Sequence, residues 1–522
     1  MKHRAINRAI KRRNVVIGIG ATAGAVAAGG LTLSARASTG STPDGPSGAL
    51  TFDKEAYTEL TTTVTTDDGD KEVTYHFWKA ITYVAEPVDE KYQSLNVSVP
   101  VEIDGKAVDA SGAPILLANS IGGYMPSSVA DADGVGGGGG GMPGGGDGPP
   151  GGGGGPLVSN QLLALAAGYV VVEPGARGRT LKDDDGTYYG TAPAAIVDLK
   201  AAVRYVRANK GRIPGDTDRI VSAGTSAGGA LSALLGASGD SRSYAAHLAE
   251  LGAADASDAI FATGAWCPIT DLEHADGAYE WNWGTNKQND GTQVDQATSK
   301  QLRAQFAEYQ AALRLRRMDG RGTLTARNYD DYLLTHYLQP SATRYLAALP
   351  EGERATYLAD NTFITWRGGR ATFTWQDFLT HVGARKKDTP AFDPFDLSSP
   401  ENNEFGAGTT EARHFTAYGA RHDTSGLDSR RVAPDIPEKL DLMNPMHHLA
   451  RRNPGRSKHW WIRLGTKDSD TSLTVSANLA ASAAGLGDEV DHRYYWDAGH
   501  GANTDPADFI AWIAEVTGYR KK

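Results

Sequence analysis

A serine stands between small residues and glycines in Gly224-Thr225-Ser226-Ala227-Gly228, after the apolar run of "DRIVSAGT" and before the Ala/Leu-rich "GALSALLG". The G-x-S-x-G spacing suits a nucleophile on a sharp strand-to-helix turn, where only small neighbours let the chain reverse without clashing. Such a turn lifts the hydroxyl above the sheet edge. The helix that follows presents backbone N–H groups where an oxyanion would develop. Serine is a weak nucleophile by itself, so this reading requires a base and an acid further along the chain.

Both are present in the order this chemistry uses on an α/β scaffold: Ser, then Asp or Glu, then His. "TKDSDTS" follows the strand-like "HWWIRLG" and supplies Asp468 and Asp470; "DAGHGAN" follows "HRYYW" and supplies His500. The 32 residues from Asp468 to His500 leave room for one helix and one strand. His500 is expected to take the proton of Ser226 and return it to a leaving alcohol, while Asp468 orients the ring. Asp497, in the same loop as His500, is the rival acid. The oxyanion hole needs two donors: the N–H of Ala227, and Gly122 or Gly123 in "NSIGGYMP", of which Gly123 is assigned.

The elements that must position these residues are legible from periodicity. "TELTTTVTT", "EVTYHFWKAITYV" and "SLNVSVPVEI" alternate β-branched or aromatic residues with polar ones, and "DDGD" (Asp67 to Asp70) is a hairpin turn between the first two. The pattern then changes to buried strands ("APILLANS", "YVVVEPGARG", "DRIVSAGTS") alternating with helices ("QLLALAAG", "APAAIVDLKAAVRYVRANK"). That alternation predicts an α/β fold with a mostly parallel sheet covered on both faces. From about Asp271 to Met443 the rhythm is lost, and helical segments such as "TSKQLRAQFAEYQAALRLRR" take over; it returns with "HWWIRLGT". The sheet domain therefore spans 49–270 and 444–522, interrupted by a mostly helical insertion at 271–443.

The first forty residues differ from the rest. Seven basic residues and no acidic one flank "VVIGIGATAGAVAAGGLTL", and "ARA" precedes Ser38. Residues 1–37 read as an export signal, with Arg12-Arg13 suggesting the twin-arginine route, followed by a flexible leader at 38–48. The alternative is an uncleaved anchor, for which this Gly/Ala-rich run is a weak span. A secreted protein is expected, with no stable membrane association after processing. Cleavage would take the net charge from −10 to −17, which argues against nucleic acid as a partner. Cys267 is the only cysteine, so no intramolecular disulfide can form. No Cys/His metal spacing occurs, His447-His448 reads as structural, and neither metal nor cofactor is expected. "GVGGGGGGMPGGGDGPPGGGGG" (134–155) cannot bury enough surface to order itself and reads as a loop insertion.

Together, "GTSAGG", "CPITDLEHADGAYEW", "PAFDPFDLSSPENNEFG" and "GTKDSDTSL…WDAGHGAN" resemble bacterial tannase (tannin acylhydrolase), over roughly Tyr57 to Tyr519. The resemblance implies an α/β-hydrolase sheet with an inserted, mostly helical lid domain, and hydrolysis of galloyl esters of tannins and alkyl gallates to gallic acid. It implies the triad Ser226, Asp468 and His500. It further implies galloyl contacts from Asp470, Lys387 and Glu401, with Ile269 and Pro400 sandwiching the ring. Lys386 leaves the lysine register open by one position. Two carboxylates and an ammonium suit three adjacent phenols, each a donor and an acceptor. Without the resemblance, Lys387, Glu401 and Asp470 read as ordinary surface charge. The alternative function is an esterase for feruloyl or other aromatic acids, and the Gly-rich segment is a departure from the family.

Overall fold

The computed structural model describes residues 50–138, 159–427 and 429–521. The export signal, the leader and most of the Gly-rich segment lie outside these residues. Twelve strands are present among the described residues: β1 (Thr58–Thr66), β2 (Gly69–Thr82), β3 (Ser94–Ile103), β4 (Lys106–Ala107), β5 (Pro114–Ala118), β6 (Val170–Pro174), β7 (Asp216–Thr225), β8 (Ala262–Trp266), β9 (Thr365–Arg367), β10 (Arg370–Thr372), β11 (His459–Gly465) and β12 (Glu489–Tyr495).

Ten of them form one open sheet in the order β1-β2-β3-β6-β5-β7-β8-β11-β12, with β4 on β3. The first half is antiparallel, as its alternating pattern predicts: β1 pairs with β2 through the turn at Asp67–Asp68, and β2 and β6 flank β3. From β6 onward every pairing is parallel. These strands are fully buried in β5, β6 and β8, which explains why they read as continuous apolar runs. The fold is an α/β-hydrolase sheet with a helical lid insertion.

Helices at Ala194–Ala208, Ala227–Ser238, Leu473–Gly485 and Pro506–Thr517 cover the sheet. The helix at Ala227–Ser238 is buried along its whole length, so its Ala/Gly/Leu composition is a packing requirement. Between β8 and β11 the chain forms helices and the small β9–β10 hairpin. The helix expected from Thr298 to Arg317 runs from Gln296 to Leu313, capped by the Asp295 carboxylate and closed by a left-handed Arg314. Beyond it, Arg317 pairs with Asp319 and Asp331.

Candidate active site

Strands β7, β8, β11 and β12 end side by side, and the predicted chemistry sits on the loops just past their C-terminal ends. Ser226 ends β7 and begins the helix at Ala227, with φ 60 and ψ −123, a left-handed conformation rare for a residue with a Cβ. Its surroundings explain the glycines. A Cβ on Gly224 would meet Gly228 O at 2.3 Å and Asn119 Nδ2 at 2.5 Å. Asn119, which the sequence reading passed over, follows β5 and donates to both Ala223 O and Gly228 O at 3.1 Å. It pins the two arms of the turn together. Only its position after a buried strand hinted at this.

The three side chains expected to act together do meet. His500 Nε2 lies 2.9 Å from Ser226 Oγ, and its Nδ1 lies 2.9 Å from Asp468 Oδ2. Asp468 is fully buried, while His500 keeps about a quarter of its side chain exposed. The rival Asp497 points elsewhere: its carboxylate binds His381 Nε2 at 2.5 Å, the Tyr357 hydroxyl and Lys467 Nζ at 3.0 Å. Cys267, just past β8, places its sulfur 4.0 Å from His500 Nε2. Burial by itself would lower the His500 pKa; the Cys267 sulfur and the Asp468 carboxylate outweigh it and hold the ring above its ordinary value.

The loop expected to complete an oxyanion hole is tied to the serine turn. Gly228 N–H donates to Ile121 O at 2.8 Å. Gly123 has φ +54, which glycine adopts freely. Arg179 links this loop to the lid, donating to Gly123 O at 2.8 Å and to Asn403 Oδ1 at 3.0 Å. Ala227 opens its helix, so its N–H has no partner within that helix.

The charged residues assigned to ring recognition form two ion pairs, and Asp470 of one of them lies beside the imidazole. Asp470 N–H donates to Asp468 Oδ1 at 3.0 Å, and Asp470 Oδ2 lies 3.9 Å from His500 Nδ1. Lys386 Nζ binds Asp470 at 2.7 Å, whereas Lys387 Nζ lies 3.6 Å from Glu401 Oε1. Both lysines therefore reach the cluster, one to each carboxylate. Glu401 Oε2 is buried and has no hydrogen-bond partner among the described residues. Ile269, just past β8, is buried, and Pro400 is exposed at the first position of the short helix Pro400–Glu404.

A buried tyrosine ties these parts together. Tyr279 OH donates to Ser469 O at 2.8 Å and accepts from Lys387 N–H at 3.1 Å. Arg385, fully buried against Glu280, fixes the same lysine segment through Lys387 O and Asp388 O. Two loops separated by some eighty residues of chain are thus held at one spacing.

A family model described as BD-FAE matches residues 160–312. No curated protein matches the chain. Among solved structures, a tannin acyl hydrolase in complex with 3,4-dihydroxybenzoate is 36% identical, with 90% of this chain and 99% of that chain covered and a TM-score of 0.76. A tannin acyl hydrolase in complex with ethyl gallate is 35% identical over 90% and 99% of the two chains, with a TM-score of 0.75. The tannase of Fusobacterium nucleatum is 33% identical at the same coverage, with a TM-score of 0.75.

Proposed function

The chain belongs to the tannin acyl hydrolase family, and from that membership we propose that it is a serine esterase cleaving galloyl esters to gallic acid. Ser226 Oγ attacks the ester carbonyl while His500 Nε2 accepts its proton, and Asp468 steadies the imidazolium that results. The N–H groups of Ala227 and Gly123 receive the developing oxyanion. Collapse of the tetrahedral species expels the alcohol, which takes the proton from His500, and leaves a galloyl ester on Ser226. A water deprotonated by His500 then attacks that ester, and gallic acid departs as Ser226 recovers its proton. The observation that carries this reading is the continuous 2.9 Å relay from Ser226 through His500 to Asp468, at the ends of three parallel strands.

The ring lies where the two ion pairs meet, between Ile269 and Pro400. The unpartnered oxygen of Glu401 accepts from one phenol and Asp470 from another, while Lys387 donates. Lys386 shares Asp470 with the substrate. The substrates are small aromatic esters, and residues 1–37, read as an export signal, would make the enzyme an exported one.

Gallic acid release from methyl gallate by the purified chain tests the reading, with methyl ferulate as comparison and Ser226→Ala as control. Faster turnover of methyl ferulate would overturn the galloyl assignment. Full activity in Ser226→Ala would overturn the mechanism.

A further inference from the structure

Shortly before His500 in the same loop, Asp497 takes a left-handed backbone, with φ 59, that a residue with a Cβ seldom adopts. Its carboxylate gathers partners from two other parts of the chain. Lys467 Nζ, at 3.0 Å, comes from the loop that carries Asp468. His381 Nε2, at 2.5 Å, and the Tyr357 hydroxyl come from the lid helices Trp375–Val382 and Glu351–Asp360. Burial by itself would raise the Asp497 pKa; the bonds from His381 and Tyr357, with the charge of Lys467, outweigh it and keep the carboxyl below its ordinary value. An ionised acceptor makes each of these hydrogen bonds stronger than a neutral one would be.

The loops of Asp468 and His500 are themselves joined through the backbone. Thr466 N–H donates to Tyr495 O and Lys467 N–H to Ala498 O, both at 2.9 Å, and Asp497 N–H donates to Thr466 Oγ1 at 2.9 Å. A Cβ on Gly465 would meet Ala498 O at 2.2 Å, so the two loops pack backbone against backbone. Trp496 adds a second contact with the lid: its Nε1 donates to Tyr357 OH at 2.7 Å, and its ring lies parallel to that of His381 with centroids 5.4 Å apart. His381 lies a few positions before Lys386, so the helix that reaches Asp497 leads directly into the lysines that pair with Asp470 and Glu401. One carboxylate thus joins the lysine segment of the lid, the loop of Asp468 and the loop of His500.

Resting on the esterase reading above, we infer that Asp497 is a positioning residue for the reaction: through His381 and Tyr357 it fastens the lid to the loop of His500, and this fastening holds the imidazole in line with Ser226 Oγ. Asp497 acts through the loop and not on the reacting atoms. His500 keeps about a quarter of its side chain exposed, so its own packing restrains it less than burial would. Asp468 orients the ring through Nδ1, and Asp497 fixes the loop from which the ring extends. Catalysis is sensitive to such placement, since a shift of about 1 Å at a reacting group costs on the order of 10²-fold in rate.

Steady-state kinetics of the full chain on methyl gallate and methyl benzoate, with the melting temperature measured alongside, test the inference. Asp497→Ala should lower kcat about 10–100-fold on both esters, while KM for methyl gallate stays within about twofold because Asp470 and Glu401 keep their lysines. His381→Phe keeps a ring against Trp496 and loses the bond, so it should lower kcat in the same sense. The double variant of Asp497→Ala and His381→Phe should be no slower than Asp497→Ala alone, as expected of two groups that act as a unit. His381→Gln retains a side-chain N–H and should recover part of the loss. Tyr357→Phe removes one lid donor without altering the catalytic loop, and serves where Asp497→Ala does not fold; its kcat should fall as well. Wild-type kcat in a folded Asp497→Ala or Tyr357→Phe, or losses that simply multiply in the double variant, would overturn the inference and leave the seam a structural contact. A wild-type chain that hydrolyses neither ester would instead overturn the esterase reading beneath it.

Discussion

Lys386 Nζ sits 2.7 and 2.9 Å from the two carboxylate oxygens of Asp470, so the acid two positions past Asp468 carries a lid cation before any ring arrives. Lys387 does the same, more loosely, for Glu401. The proposed recognition cluster is thus two carboxylates and two ammonium groups.

Losing one carboxylate removes a hydrogen bond to a charged group. Asp470→Ala and Glu401→Ala should each reduce kcat/KM on methyl gallate by about 10–100-fold. Methyl benzoate, which has no phenols to bind, should change little. Steady-state kinetics on both esters decide the matter: equal losses would mean that these residues hold the fold and do not read the ring.

Removing the proposed nucleophile or the proposed acid should act on every ester alike. Ser226→Ala should leave only background turnover and abolish labelling by a fluorophosphonate. Asp468→Asn should lower kcat by about 10⁴, because the amide no longer fixes the productive tautomer of His500.

The pH profile follows from the surroundings of His500. As the proposed base, His500 works only when neutral, so kcat/KM should fall as pH drops through its pKa. Burial opposes the upward shift, but Cys267 and Asp468 prevail. The acid limb should therefore have its midpoint above 6.5, the ordinary imidazole value. Cys267→Ala removes one raising influence and should move that limb downward. A limb that does not move in this variant would show that the sulfur does not act on the ring.

Tyr279→Phe deletes the hydroxyl that joins Ser469 O to Lys387 N–H. The ring keeps its packing against Phe392, so the fold should survive. The spacing between Asp470 and the lysine segment should loosen. We expect KM for methyl gallate to rise while kcat on methyl benzoate stays near wild type.

At Gly224 a methyl group would strike Gly228 O at 2.3 Å, in a turn already bound by Asn119. Gly224→Ala should destabilise the protein by about 1–3 kcal/mol, the usual range for overpacking. Thermal unfolding together with fluorophosphonate labelling would report it. An unchanged melting temperature would mean that the turn can shift.

The strands, the serine turn and the order of Ser226, Asp468 and His500 are written locally. Alternating and continuous apolar patterns report how a segment is buried, and glycines beside the serine report a turn too tight for a Cβ. Those signals need no knowledge of distant residues, so the sequence alone determined the sheet, its insertion and the candidate triad. Periodicity is silent about which distant side chains meet. Asp497 ranks below Asp468 on paper only because it shares the loop of His500; what occupies it instead is decided by folding, which brings His381, 116 positions away, to its carboxylate. The pairing of Lys386 with Asp470, the strut at Tyr279 and the grouping of His447 with Glu273 likewise arise where the lid meets the sheet. Such contacts are set by the packing of whole elements, in which one residue of register exchanges one lysine for its neighbour.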